Sequence, residues 1–186
     1  ARVRAEANFQ QARQAVDAMY TQVAEEWLAY QPNLEPLQRE FLEKALHFYA
    51  EYGHQRSDDP AVRLETARAS RRVADIEHRL GRRLESEQAF NRAIDQLQLL
   101  ADEFPIIPVY RYELAETLHK LGVNIGDTRS HIEEEKVHRR ALALEQQLAV
   151  EFPDVPSYRQ NLSGGYCMLA KVLQLQHGHE KLVEAE

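Results

Sequence analysis

The sequence predicts an all-α fold in which antiparallel helix hairpins stack into a solenoid with a 48-residue repeat. The pattern Ala-x-Glu-Phe-Pro-x-x-Pro-x-Tyr-Arg-x-x-Leu occurs at residues 101–114 and returns 48 residues later at residues 149–162. A fixed period of this length is typical of repeat architectures. The composition agrees, because helix-favouring Leu, Ala, Glu, Gln and Arg dominate while only seven Gly and seven Pro occur. The repeated Tyr-Arg pair is interpreted as packing across a turn.

Residues 1–55 are predicted to form an N-terminal helical hairpin ahead of the repeats. Apolar side chains in residues 1 to about 30 are spaced by three and four, which indicates a helix with one buried stripe. Pro32 and Pro36 end this helix, and a second amphipathic helix should end near Gly53. The stripe is also a possible dimer seam, for which the candidate residues are Phe9, Val16, Met19, Val23 and Trp27.

Residues 56–186 are predicted to contain three repeat units, at about 58–105, 106–153 and 154–186, the last of them truncated. Capping residues precede Pro60, so a helix should run from about 60 to 80 and end at Gly81. The remaining helices are expected over about 83–103, from Pro108, over about 131–151, from Pro156, and from about 179 as a short last helix. Every turn is short, which favours antiparallel neighbours.

Charge, cysteine content and hydropathy exclude several classes of protein. The net charge of −7 argues against a nucleic-acid partner, because such binding depends on neutralising phosphates. Cys167 is the single cysteine, which leaves neither an internal disulfide nor a cysteine-based zinc site. No run approaches the roughly 18 consecutive apolar residues that cross a bilayer, so we expect no membrane insertion. The chain starts at Ala1 and stops within a predicted helix, and we therefore expect it to be a fragment of a longer protein.

No catalytic or metal site is expected. His177 and His179 are the only close histidine pair, and no further ligand lies at a suitable spacing. The run at residues 133–135 is explained by the helix dipole, which favours acidic residues at a helix start. No Ser-His-Asp or Cys-His arrangement is found, so we predict neither enzymatic activity nor a cofactor.

Two adjacent glycines, Gly164 and Gly165, lie inside a predicted helix. Each costs roughly 1 kcal/mol relative to Ala at such a position. Either a neighbouring helix or a ligand backbone comes close there, or the terminal repeat is frayed, which is the interpretation we favour.

The spacing of small residues within each unit resembles the tetratricopeptide repeat. The matching positions are Ala74, Ser86 and Ala93 in the first unit and Gly122, Glu134 and Ala141 in the second. In that family small residues let the two helices of a hairpin approach, and Phe90 matches an aromatic position three residues before the last Ala. Glu134 and His138 depart from the pattern, so the second hairpin is expected to pack more loosely. The unit exceeds the family's ordinary 34 residues, which implies roughly two extra turns on each helix of a tetratricopeptide-like superhelix.

The whole chain is also similar to the C-terminal arrays of bacterial membrane-anchored serine/threonine protein kinases. The similarity is carried by residues 8–17, which read Asn-Phe-x-x-Ala-Arg-x-Ala-Val-Asp, by residues 36–49, and by the Glu-Phe-Pro-x-x-Pro-x-Tyr-Arg of the units. It implies a non-catalytic region that follows a membrane span and lies opposite the kinase domain, outside the cytoplasm. The kinase signatures His-Arg-Asp and Asp-Phe-Gly and the glycine-rich loop are absent, so we expect no kinase activity in this chain.

The tetratricopeptide resemblance implies a concave groove lined by the first helix of each hairpin. Family register gives its exposed positions as Arg68, Arg71, Arg72 and Asp75, then Glu116, His119, Lys120 and Val123, then Gly164, Cys167, Met168 and Lys171. The candidate partner-binding residues are the basic members of this set, which are Arg68, Arg71, Arg72, His119, Lys120 and Lys171. Such a strip would attract an acidic peptide or a peptide carboxylate. Alternatively, the arginines form a solvated helix face that Glu65, Glu77 and Glu113 balance.

Two functions remain open from the sequence. The leading hypothesis is a non-catalytic protein-interaction module that holds a partner segment in the basic groove. The second is self-association, in which the stripe at residues 9–27 pairs two copies and brings kinase chains together. Both hypotheses predict a protein partner and no nucleic acid.

Overall fold

The computed structural model describes residues 36–52, 58–126 and 131–183. Within these ranges the chain forms six α-helices and no strand, which confirms the predicted all-α class. The helices are α1 (Pro36–Tyr52), α2 (Pro60–Arg79), α3 (Arg83–Glu103), α4 (Pro108–Gly126), α5 (His131–Glu151) and α6 (Pro156–Val183). The predicted helix at residues 1–30 and its candidate seam lie outside the described residues, which leaves untested Phe9, Val16, Met19, Val23 and Trp27.

The chain divides into two compact units, Ala1–Phe48 and Tyr49–Glu186. The described part of the N-terminal unit is the first portion of α1, residues 36–48. Leu42 and Ala45 in this portion are buried, whereas Lys44 is exposed and pairs with Glu40, one turn earlier, at 2.7 Å. The stretch is therefore amphipathic, as its apolar spacing predicts.

The C-terminal unit is built from helices that pack on their neighbours in the sequence. α2 pairs with α3 and α4 with α5 as antiparallel hairpins, while α3 packs on α4 and α5 packs on α6. α2 also touches α4, so the first helices of successive hairpins are neighbours. Local signals set the helix ends close to the predicted positions. Asp59 accepts a hydrogen bond from the Ala61 amide at 2.9 Å, and Gly81 follows α2 with a φ of +79°.

The prediction of a short separate helix near residue 179 is wrong. α6 instead continues without a break from Pro156 to Val183. Gly178 is the single glycine or proline between residues 166 and 183. One glycine weakens a helix by roughly 1 kcal/mol but does not end a long one, because its backbone amide still donates.

The repeated Glu-Phe-Pro pattern packs the turn that leads into each new hairpin. The ring centroids of Phe104 and Tyr110 are 5.9 Å apart, and those of Phe152 and Tyr158 are also 5.9 Å apart. In both turns the phenylalanine amide donates to the carbonyl four residues earlier at 2.9 Å. The predicted packing role of the repeated tyrosine is thereby confirmed.

Equivalent arginines join the first helix of each hairpin to the end of its second helix. Arg63 at the start of α2 donates to both carboxylate oxygens of Glu103 at the end of α3, at 2.6 and 3.1 Å. Arg111 of α4 does the same to Glu151 of α5, at 2.8 and 2.6 Å. Such bidentate pairs fix the relative position of the two helices, because both the distance and the plane of the guanidinium are specified.

The second hairpin does not pack more loosely than the first, and that expectation is wrong. Large residues of α5 face glycines of α4. A Cβ built on Gly122 would come within 2.7 Å of the His138 ring, and one built on Gly126 would collide with the Glu134 carboxylate. His138 and Glu134 are accordingly buried. In the first hairpin, the positions equivalent to Gly126 and Glu134 are His78 on α2 and Ser86 on α3. The larger side chain of this pair therefore belongs to the first helix in one hairpin and to the second helix in the other.

Candidate functional site

A cavity of about 450 Å³ opens between α4 and α6, with α5 at its wall. Its lining residues are Glu116, His119, Lys120 and Val123 of α4, Glu145 of α5, and Gln160, Asn161, Gly164, Gly165 and Met168 of α6. Six of them are positions that the tetratricopeptide resemblance assigns to the groove in the second and third repeats. The cavity therefore lies on the face where the resemblance implies a groove.

Arg68 and Arg71 of the predicted basic strip are held in ion pairs within the protein. Arg68 pairs with Glu65 of its own helix at 2.9 Å and also with Glu113 of α4. Arg71 lies 2.7 Å from carboxylate oxygens of both Glu113 and Glu116. These ion pairs join α2 to α4, and they neutralise much of the positive charge that an acidic partner would seek.

The other basic candidates differ in their surroundings. The ammonium of Lys120 is 2.9 Å from both oxygens of Asp75, so it too bridges α4 and α2. Arg72 is half-buried on α2 and Lys171 is exposed on α6, and neither lines the cavity. Of the six basic candidates, only Lys120 and His119 are therefore brought into the cavity wall.

His119 is buried, which corrects the prediction that it is an exposed groove position. Its Nδ1 is 2.8 Å from the Nδ1 of His138, and its Nε2 is 3.1 Å from Oε1 of Glu145. Both partners belong to α5, so the ring is held on two sides by the second helix of its own hairpin. Family register assigns positions on the first helix alone, and it contains no information on these α5 side chains.

The two histidine rings share one hydrogen bond, which constrains where their protons lie. Because Nδ1 faces Nδ1, one ring must donate and the other must accept. Burial lowers the pKa of His138, as does repulsion from a charged His119, while the nearby Glu134 carboxylate acts in the opposite direction. Glu134 is 3.7 Å from the Nε2 of His138 and is hydrogen-bonded to His131 at 2.9 Å. The buried network favours a neutral His138.

Glu145 is the buried acid of the cavity wall. It is 5% exposed, and its Oε2 has no hydrogen-bond partner among the residues that the structure describes. The carboxylate takes the space of a missing side chain, because a Cβ built on Gly165 would collide with Oε2. A neighbouring helix thus explains Gly165, and the interpretation of a frayed terminal repeat is wrong. Gly164 differs, since a Cβ there would meet nothing within 4 Å.

Four lining residues, Glu145, Gln160, Asn161 and Gly165, are not among the predicted groove positions. Gln160 stands one turn before Gly164 on the same face of α6, so helical spacing alone could have indicated it. Glu145 lies on the second helix of its hairpin and reaches the cavity only because position 165 lacks a side chain. No sequence pattern within α5 indicates that Glu145 comes close to Gly165.

No protein-family model matches the sequence, and no curated protein matches it significantly. The site is therefore interpreted from the geometry of its own residues. In the ranges that the structure describes, no group of three or more His, Cys, Asp or Glu side chains is arranged to hold a metal ion. Across the same ranges, no helix combines the length and the apolar character needed to cross a membrane.

Proposed function

We propose that this chain is a non-catalytic protein-interaction module that binds a partner segment in the cavity between α4 and α6. The observation that carries the proposal is the lining, since the first helices of successive repeats enclose about 450 Å³ together with α5. A concave site of this size, partly apolar and with a few polar groups, suits a short peptide segment. Val123 and Met168 supply apolar surface, and they are 44% and 41% exposed.

Gly164 supports binding at this place. No packing within the protein requires a glycine, because a Cβ built there has no neighbour within 4 Å. A glycine inside a helix costs roughly 1 kcal/mol relative to Ala, and it lets another backbone approach closely. Gln160 and Asn161 border the same space, and their amides can both donate to and accept from a peptide backbone.

The tetratricopeptide resemblance supports the same function. From the sequence resemblance alone, we further propose that the chain is the repeat region of a bacterial serine/threonine kinase. The acidic partner expected from the sequence is disfavoured by the internal ion pairs. Arg68, Arg71 and Lys120 already contact carboxylates, so an acidic segment would have to compete with the protein's own side chains.

Selection of random dodecapeptides on the immobilised 186-residue chain tests this function. Gly164→Phe serves as the counter-target because its ring would fill the cavity, and Gly164→Ala is an intermediate variant that adds only a methyl group. Both variants should fold, since each removes a helical glycine. Selected peptides should lose at least about tenfold in affinity for Gly164→Phe, and a smaller factor for Gly164→Ala, because a methyl group takes up only part of the space open to a partner backbone. The proposal fails if no peptide is enriched, or if enriched peptides bind Gly164→Phe as tightly as wild type.

A further inference from the structure

The cavity contains a buried acidic group that the protein satisfies only in part. Glu145 is 5% exposed, and its Oε1 is 3.1 Å from the Nε2 of His119. Its Oε2 lacks a hydrogen-bond partner in the described part of the chain. A carboxylate removed from water needs donors to both oxygens, because an unpaired buried acceptor is unfavourable. Oε2 is buried beside Gly165, so a ligand could supply the missing donor only if the carboxylate turns toward the cavity that Glu145 lines.

The charges of the lining favour a cationic donor. Glu116 and Glu145 contribute two carboxylates, and Lys120 contributes the single ammonium of the lining residues. Lys120 is already bonded to both oxygens of Asp75. Glu116 pairs with Arg71, but 43% of its side chain remains exposed. Lys120 is exposed to a similar extent, 41%, so these two charges roughly balance, and Glu145 gives the lining its net negative charge.

We infer that the cavity binds an arginine or lysine side chain of the partner segment, with the cationic head against the Glu145 carboxylate. This inference rests on the proposed function and specifies the chemistry of the partner. Val123 and Met168 would cover the aliphatic stem, because long basic side chains lay their stems along apolar surface. A guanidinium suits the site better than an ammonium, since its planar fork pairs with carboxylate oxygens.

A smaller cavity beside the same carboxylate offers a different donor. It measures about 10 Å³, roughly the space of one water molecule. Its lining residues are Tyr112, Ala115, Glu145, Leu148, Tyr158 and Asn161. If a water there donates to Oε2, the carboxylate needs no ligand, and the larger cavity should show no preference for cations. The two arrangements predict different effects of ligand charge.

Acetylated and amidated heptapeptides of sequence Ala-Ala-Leu-Xaa-Leu-Ala-Ala separate the two arrangements. The central residue is Arg, Glu or citrulline, which keeps the shape of Arg without its charge. In calorimetric titrations of the 186-residue chain, the Arg peptide should bind at least about tenfold more tightly than the citrulline peptide, and the Glu peptide should bind least. Glu145→Gln should reduce the affinity of the Arg peptide to that of the citrulline peptide. Glu85→Gln, at an exposed position of α3 with the same change in net charge, should leave affinity within about twofold.

Each alternative outcome overturns the inference. If Glu145→Gln does not fold, the comparison of Arg with citrulline on the wild-type chain still decides. Equal affinity for these two peptides, tighter binding of the Glu peptide, or no measurable binding of the Arg peptide rejects a cation site. The proposed function would survive those results provided that display-selected peptides still lose affinity for Gly164→Phe. Heptapeptides that bind Gly164→Phe as tightly as wild type would also overturn the inference, whereas the proposed function is decided by the display-selected peptides.

Discussion

The imidazole of His138 lies directly over Gly122, so that a Cβ built on the glycine would come within 2.7 Å of two ring atoms. The equivalent positions of the first hairpin hold Phe90 and Ala74, where a larger ring accompanies a methyl group. The second hairpin differs because His119 bonds to the His138 ring at 2.8 Å and holds it against α4. The glycine makes room for a polar contact at the centre of the α4–α5 interface.

Replacing Gly122 by Ala should destabilise the protein. The His138 ring is 1% exposed and has no route into solvent, so the added methyl group overpacks the interface. Overpacking typically costs about 1–3 kcal/mol, against a gain in helix propensity of roughly 1 kcal/mol. We expect the free energy of unfolding, measured by urea denaturation, to fall by up to about 2 kcal/mol. In a His138→Ser background the same change should be neutral or stabilising, and an equal cost in both backgrounds would show that the ring is not the obstacle.

The adjacent glycines of α6 should respond to Ala in opposite directions. Gly164→Ala should raise the free energy of unfolding by about 0.5–1 kcal/mol, because the methyl group meets nothing within 4 Å and helix propensity improves. Gly165→Ala should lower it by about 1–2 kcal/mol, because the Cβ displaces the Glu145 carboxylate and breaks its bond to His119. Thermal unfolding followed by circular dichroism measures both. Stabilisation by both substitutions would mean that Glu145 moves aside freely.

The helix positions could be predicted from sequence because their signals are local. Pro60, Pro108 and Pro156 begin α2, α4 and α6, and the 48-residue period relates all three. The close fit of the second hairpin could not be predicted, because it depends on which side chain of α5 meets which glycine of α4. Considered alone, His138 departs from the tetratricopeptide pattern. Because Gly122 faces it, the His138 ring fills the interface between α4 and α5.

The face that carries the cavity could also be predicted, but its charge could not. The repeat positions of the tetratricopeptide family indicate only the direction in which each side chain points from its own helix. Neutralisation of the strip depends on the neighbouring helix, since Glu113 follows Arg68 by 45 residues and Lys120 follows Asp75 by 45 residues. That offset is the repeat length less about one helical turn, so a search for opposite charges at this spacing could have found both ion pairs.

Replacing Arg111 by Lys should raise the pKa of Glu151. The guanidinium of Arg111 donates to both oxygens of Glu151 and holds the pKa of that carboxyl below its usual value of 4.5. An ammonium keeps the charge but cannot form the same bidentate contact. Carboxyl carbon NMR titration should therefore show the Glu151 pKa move toward 4.5, while Glu103, which pairs with Arg63, should not change.

The same ion pair makes a prediction about stability and pH. Because the folded pKa of Glu151 lies below its unfolded value, the contribution of the pair is present above about pH 4.5 and is lost as the pH falls through the folded pKa. Arg111→Lys should therefore lower stability at about pH 7 and have a smaller effect at about pH 3. An effect that is equal at both pH values would assign the loss to packing of the arginine stem.

Acidification below about pH 6.5 should destabilise the protein through His138. Burial and the charge of His119 lower its folded pKa below the usual value of 6.5, although Glu134 acts in the opposite direction. In the window between the two pKa values the unfolded chain binds more protons, so the free energy of unfolding falls as the pH falls. One proton gives a slope of at most about 1.4 kcal/mol per pH unit. Urea denaturation between about pH 7.5 and about pH 5.5 measures that slope.

His138→Phe tests whether this ring is responsible, because it installs the residue that the first hairpin has at the equivalent position, Phe90. The variant should be less stable near pH 7.5, since His119 loses its bond to the ring, but its stability should depend less on pH in the acidic window. His47→Gln, at an exposed position of α1, should keep the wild-type slope. If His138→Phe also kept that slope, His138 would not be the group that takes up the proton.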